Sequence, residues 1–157
     1  MTQIVLSANL DASPTEVFDF MSDYEFLSTW FTEVEQAAVV GGGEPRVGAV
    51  VQERRRLPAL LGGVRTMQTT LTSFEPGHRL SGRVVERGVQ VSFAWEFTQL
   101  RRDHTRVTLR CAVVPTRTFA GVAARIASTV VRRHESRQLA GMPDGLRAWR
   151  RAGRSAS

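Results

Sequence analysis

Residues 89–138 read VQVSFAWEFTQLRRDHTRVTLRCAVVPTRTFAGVAARIASTVVRRHESRQ, and this stretch decides the fold. Val89, Val91, Phe93, Trp95 and Phe97 alternate with Gln90, Ser92, Ala94, Glu96 and Thr98, the period of a strand with one apolar face. Arg101-Arg102-Asp103-His104 is a turn. Thr105–Val114 resumes the alternation, with Val107, Leu109, Cys111 and Val113 on one face and Arg106, Thr108 and Arg110 on the other. Pro115 ends the run, since proline has no N–H to give to a ladder. Beyond it Phe119, Val122, Ile126 and Val130 recur at three- and four-residue steps, the signature of an amphipathic helix capped by Thr116 or Thr118. A helix over Phe119–Gln138 would be about 30 Å long.

Towards the N-terminus the period-two texture continues. Arg79–Arg87 and Val64–Phe74 flank the turn Glu75-Pro76-Gly77-His78, with Pro and Gly in type II positions. Arg46–Arg56 and Glu33–Val40 are two further strands, separated by Gly41-Gly42-Gly43. Gln3–Leu10 is the opening strand. Ser13-Pro14-Thr15-Glu16 starts a short helix, with Ser13 as cap and Pro14 in the first turn. Asp23 is placed to cap a second short helix through Trp30. Towards the C-terminus, Gly141-Met142-Pro143-Asp144-Gly145 is expected to break or kink the long helix, with Leu146 and Trp149 docking back as a last piece. Residues 1–150 read as one domain and 151–157 as a disordered tail.

The order strand, two short helices, six strands, long helix predicts an α+β fold. A twisted seven-stranded antiparallel sheet has one apolar face to cover, and only the last helix is long enough to cover it. The sheet must curl around that helix. One helix is too slim to fill the whole concavity, so a pocket is expected in the remaining space, mostly apolar with a few polar groups.

These features together resemble the START-like (SRPBCC) superfamily and its helix-grip fold, which includes the birch-pollen-allergen-like, lipid-transfer and polyketide cyclase/dehydrase families. The residues that carry the resemblance are the S-P-T-E-V-F helix start, the Asp23–Trp30 segment, Val47-Gly48, Phe74-Glu75-Pro76-Gly77-His78-Arg79-Leu80, Trp95-Glu96-Phe97, Thr105-Arg106-Val107-Thr108 and the closing helix. The resemblance implies a cavity for a lipid, sterol, polyketide or hormone. Pro143 departs from the usual closing helix of that family. The fold hosts many activities and does not name one.

Composition excludes several alternatives. The chain has 157 residues, 42% hydrophobic and 23% charged, which is globular. No apolar run reaches the roughly 18–20 residues of a membrane span. The start MTQIVLSANL lacks the basic residues of a signal or transit peptide, so a cytoplasmic location is expected. One cysteine allows neither an internal disulfide nor a thiolate cluster. All 21 positive side chains are arginine, against 15 acids. Residues 1–45 hold eight acids and no arginine, so the second half carries the excess of positive charge. That half could meet an anionic membrane surface. Nucleic acid is disfavoured, because Arg54–Arg56, Arg101–Arg102 and Arg132–Arg133 have no interleaved aromatics. The acidic front segment could instead lie against the basic rear one.

The cavity lining should come from inward strand positions and the inner helix stripe: Trp30, Met67, Leu71, Val84, Phe93, Trp95, Leu109, Cys111, Phe119, Val122 and Ile126. The plain alternative for each is core packing. Candidate polar groups are Glu53 and Arg55, which share a strand face, and Arg65 with Thr69 on the next strand. An inward arginine could hold a carbonyl or enolate oxygen, as the resemblance to polyketide cyclases implies. A solvent-facing rim position is the plainer expectation for either arginine. His78, His104 and His134 are read as two turn residues and one on the outer side of the helix, and Glu33/Glu35 as surface charge. No metal site and no cofactor is expected. The expected function is binding, with or without transport, of a hydrophobic small molecule such as a lipid or polyketide between sheet and helix. The alternatives are a polyketide cyclase or dehydratase, or a regulatory module at a membrane surface. Oligomeric state is not legible.

Overall fold

A computed structural model describes residues 1–59, 62–86, 88–117 and 121–154. The chain runs β1 (Thr2–Leu10), α1 (Pro14–Ser22), α2 (Tyr24–Trp30), β2 (Val34–Val39), β3 (Val50–Arg56), β4 (Val64–Glu75), β5 (Arg79–Glu86), β6 (Val89–Arg101), β7 (His104–Pro115) and α3 (Gly121–Arg151). Among the described residues seven strands form one sheet, ordered β1-β7-β6-β5-β4-β3-β2. Every neighbouring pair is antiparallel. This is the helix-grip architecture expected from the element order.

Local chemistry fixes the turns and starts. Ser13 Oγ accepts from the Glu16 N–H at 3.3 Å, and Pro14 opens α1 with a fixed φ. Gly77 has φ +73°, which the β4–β5 turn requires and L side chains resist. Thr105 is buried in β7, and its hydroxyl donates to the Ala12 carbonyl at 2.7 Å, tying the end of β1 to the sheet. Asp23 stands at the N-cap position of α2 but makes no side-chain cap there. Its carboxylate is instead taken by Trp149 Nε1 at 2.9 Å and by Arg154 at 2.7 Å, so α3 competes it away from the cap.

The helix α3 departs from expectation. It is 31 residues long, continuous, and contains Pro143. Proline inside a helix removes one hydrogen bond and costs about 3 kcal/mol. Around it Leu139, Met142, Leu146 and Trp149 are all buried. Each such side chain contributes about 1.5–3 kcal/mol of burial, which outweighs the lost bond. Arg150 grips Glu16 through Nε at 2.6 Å and Nη2 at 2.9 Å, and Arg154 lies 5.4 Å from the Phe26 ring centre. With Arg137 on Glu33 and Arg54 and Arg56 on Glu35, these pairs lay the acidic front segment against the arginines.

The two halves of α3 meet the sheet differently. Leu139–Trp149 packs solidly with Phe18, Phe20, Ile4 and Leu109 in the main core. Residues 123–131 carry Ala123 and Ala127 where bulk would be needed to fill the concavity, and Val122 is 71% exposed. The solid half contains a sensitive contact. A Cβ on Gly145 would lie 2.6 Å from Trp30 Cδ2, whereas one on Gly141 would lie 3.6 Å from Trp30 Cζ3. Gly145→Ala is therefore expected to destabilise by about 1–3 kcal/mol, overriding the gain of about 1 kcal/mol in helix propensity. Gly141→Ala should stabilise by up to about 1 kcal/mol. Urea denaturation of both variants checks this, and effects of equal sign would refute it.

Candidate functional site

The hollow lies under the thin half of α3. An outer cleft of about 310 Å³ is bounded by β3–β6 and by the first half of α3. Its walls are Leu57, Met67, Val84, Val89, Val91, Ala123, Ile126, Ala127, Val130 and Val131, with Arg55, Arg65, Glu86 and His134 as its charged or polar lining. An inner chamber of about 80 Å³ continues it, sharing Arg55, Met67, Val84, Val91, Val131 and His134. Met21, Tyr24, Leu80, Phe93, Trp95 and Cys111 line the inner chamber, together with Glu53, Glu135 and Gln138. Wider grooves exist on the convex face and beside Gly42 and Gly43, but they are surface depressions outside the concavity.

Strand register explains who faces inward. Glu53 and Arg55 alternate with exposed Gln52, Arg54 and Arg56 in β3, so they share the concave face with Val51. Glu53 pairs with Met67 and Arg55 with Arg65 across β3 and β4. Arg55 Nε donates to Glu53 Oε2 at 2.6 Å, with both side chains largely buried. At the mouth, Arg65 donates to Glu86 at 2.6 Å. On β5, Gly82 leaves room for its neighbour: a Cβ there would lie 2.7 Å from the Phe93 ring.

From α3, His134 and Glu135 enter the same space. His134 is 5% exposed, and its Nδ1 lies 2.8 Å from Glu33 Oε2. Arg137 donates to the other oxygen of Glu33. Burial, with the Arg55 and Arg137 guanidiniums, pushes the imidazolium down to about 2, so the ring is neutral. A carboxylate has no proton to give, so Nδ1 carries the hydrogen and donates. His134 Nε2 is then a bare acceptor, and among the described residues it is buried without a partner. An unmet buried acceptor typically costs about 1–3 kcal/mol, which makes it a feature to be explained by function. Burial pushes the Glu135 carboxyl up to about 7, eased by Arg55 and reinforced by Glu53 and Glu33. Burial also raises the Tyr24 phenol, with Glu53 adding to it. The Cys111 thiol is pushed up to about 12 by burial, so it is not a nucleophile at neutral pH. Among the described residues no three His, Cys, Asp or Glu side chains converge as a metal-ligand set.

The structure brings Met67, Val84, Phe93, Trp95, Cys111 and Ile126 to the hollow, and with them Glu53, Arg55 and Arg65. The rim placement expected for either arginine fails for Arg55, which reaches both chambers, while Arg65 lies at the mouth in its pair with Glu86. Leu71, Leu109 and Thr69 are buried but do not line it, being closed over by their neighbours in the core. Trp30 packs on Phe20, Phe31 and Gly145 instead. Val122 faces solvent, because the inward stripe of α3 is rotated from the expected one towards Ala127, Val131, His134 and Gln138. Phe119 lies outside the described residues. His134 is not on the outer side of the helix, and Glu33 is not free surface charge. Sequence reading missed both because their attraction joins positions 101 residues apart. It missed Glu135 and Tyr24 as well. The available hint was polar His134-Glu135 sitting three and four residues after Val131.

Comparison with known proteins agrees with this architecture. A family model described as polyketide cyclase/dehydrase and lipid transport matches residues 1–144. The Zhui aromatase/cyclase from Streptomyces sp. R1128 is similar in structure, at 16% identity and TM-score 0.78, covering 97% of each chain. A START superfamily protein from Mycobacterium smegmatis has 13% identity and TM-score 0.68, covering 92% of this chain and 98% of that one. Ara h 8.0201 has 8% identity and TM-score 0.72, covering 94% and 98%. Identities this low speak for a shared fold alone. Among curated proteins none matches the sequence.

Proposed function

The chain belongs to the polyketide cyclase/dehydrase and lipid transport family, and from that premise we propose that it binds an apolar small molecule with an oxygen-bearing end. The observation that carries this reading is one hollow with two characters. Its outer cleft is walled by aliphatic side chains, and its inner end presents Tyr24, Arg55, His134 and Glu135. Burial of an apolar body in the cleft supplies affinity, and the inner polar groups fix orientation. No helix among the described residues is long and apolar enough to cross a membrane.

The test uses the neutral fluorophore N-phenyl-1-naphthylamine. Saturable binding is expected, and Ala127→Trp, which fills the cleft from α3, should weaken it by about ten-fold or more, equivalent to about 1.4 kcal/mol. The variant should keep or raise the melting temperature. Absence of saturable binding, or unchanged affinity in Ala127→Trp, would overturn the reading.

A second reading, a cyclase or dehydratase acting on a polyketide-like chain, is favoured by one specific observation. Arg55 faces the chamber beside a bare imidazole nitrogen and a carboxyl that titrates near neutrality. Such a set can hold an enolate oxygen, accept a proton and return one. Conversion of a β-hydroxyketone to its enone, followed by absorbance and abolished in Glu135→Gln, a variant expected to be at least as stable as wild type, would support it. Binding without turnover leaves the first reading alone.

A further inference from the structure

We infer that the inner chamber is a receptor for a hydrogen-bond-donating hydroxyl, a phenol, enol or alcohol, with His134 Nε2 as its acceptor, and that it rejects carboxylate-headed amphiphiles. This deepens the binding reading above and rests on it. His134 Nδ1 is committed to Glu33 at 2.8 Å, and Arg137 holds the far side of that carboxylate. The tautomer is thereby fixed from outside the chamber, and Nε2 faces its occupant as a lone pair only. His134 is 5% exposed and lines both the cleft and the chamber, yet no group among the described residues meets Nε2. Phe31 packs edge-on against the ring with centroids 4.9 Å apart, which stops it from turning away.

The charge around the chamber argues for a neutral head. Glu33, Glu53 and Glu135 stand against Arg55 and Arg137, and Arg55 already gives its Nε to Glu53 at 2.6 Å, so Glu53 balances its charge while its Nη groups keep protons to donate. A carboxylate seated here would bring no proton to the His134 lone pair and would face the Glu53 carboxylate, across from a guanidinium whose charge Glu53 already balances. A hydroxyl is complementary on both counts. Its proton satisfies Nε2, and its oxygen can accept from Tyr24 or from protonated Glu135. The aliphatic cleft beyond takes the body of the molecule.

Calorimetric titration with 2-naphthol, 2-methoxynaphthalene and 2-naphthoate near neutral pH tests this on the intact protein. The naphthol is expected to bind about ten-fold tighter than the ether, and the naphthoate most weakly, the first difference being about 1.4 kcal/mol. In His134→Phe the naphthol and ether should bind alike while the ether keeps its affinity. Should that variant not fold, nitrogen-15 NMR of histidine-labelled wild type gives the answer. The unprotonated Nε2 resonance should move on adding naphthol and stay on adding the ether. Equal affinity for naphthol and ether, or tightest binding of naphthoate, overturns the hydroxyl assignment and leaves the cleft as a binding site. No binding of any of the three overturns both readings.

Discussion

Arg55→Leu is expected to destabilise the protein by about 3–5 kcal/mol, because it leaves Glu53 as an uncompensated buried charge. Glu53 is 7% exposed, and its partner at 2.6 Å is Arg55. No other cation is bonded to it among the described residues. Loss of the guanidinium also removes the one positive charge that eases ionisation of Glu135, so that carboxyl should climb further. The double variant Glu53→Met/Arg55→Leu separates the pair from the charge. Replacing both members with apolar groups of similar volume is often neutral or stabilising, so most of the loss should return. Chemical denaturation of wild type, single and double variants measures this. A single-variant cost below about 1 kcal/mol would show that water reaches Glu53 and that the chamber is wetter than its lining indicates.

That pair also shows where sequence reading stops. The strands were legible because a half-buried sheet writes period two into the chain, and β6 and β7 carry it through Val89–Phe97 and Thr105–Val113. β3 shows the same period with charges: Glu53 and Arg55 alternate with Gln52, Arg54 and Arg56, so polarity cannot tell inner from outer face. Only the register against β4, with Arg55 opposite Arg65 and Glu53 opposite Met67, assigns it. The phase of α3 failed for a related reason. A search for the greasiest stripe finds Val122, Ile126 and Val130. The helix keeps Ile126 and Val130 at the cleft but leaves Val122 in solvent and turns Ala127, His134, Glu135 and Gln138 inward beside them, because the space they face is left unfilled. The continuity of α3 through Pro143 was hidden too, since the burial of Met142, Leu146 and Trp149 that outweighs the proline is tertiary.

Glu135→Gln is expected to stabilise the protein by about 3 kcal/mol above neutral pH and by little in mild acid. The sign follows from where the carboxyl titrates. Unfolded, it ionises at the ordinary 4.5, and folded it holds its proton up to about 7. Burial is the main cause, with Glu53 and Glu33 adding to it and Arg55 opposing. His134, Tyr24 and Cys111 are the other titratable groups that line the same chamber. Below 4.5 the carboxyl is neutral in both states and costs nothing. Between 4.5 and about 7 the unfolded chain alone releases the proton, so wild-type stability falls as pH rises. The slope is about 1.4 kcal/mol per pH unit, and above the folded value the loss is complete and constant. Glutamine, isosteric and uncharged, removes this dependence. The contribution of His134 runs the other way, since its folded value lies below the ordinary 6.5 and stability drops as pH falls through that range. It is common to both proteins and cancels in the difference. Urea denaturation of the two at about pH 5 and about pH 8 should show an advantage for Glu135→Gln that grows by at least about 2 kcal/mol. An advantage that does not change with pH would place Glu135 in contact with water and remove the proton donor on which the dehydratase reading relies.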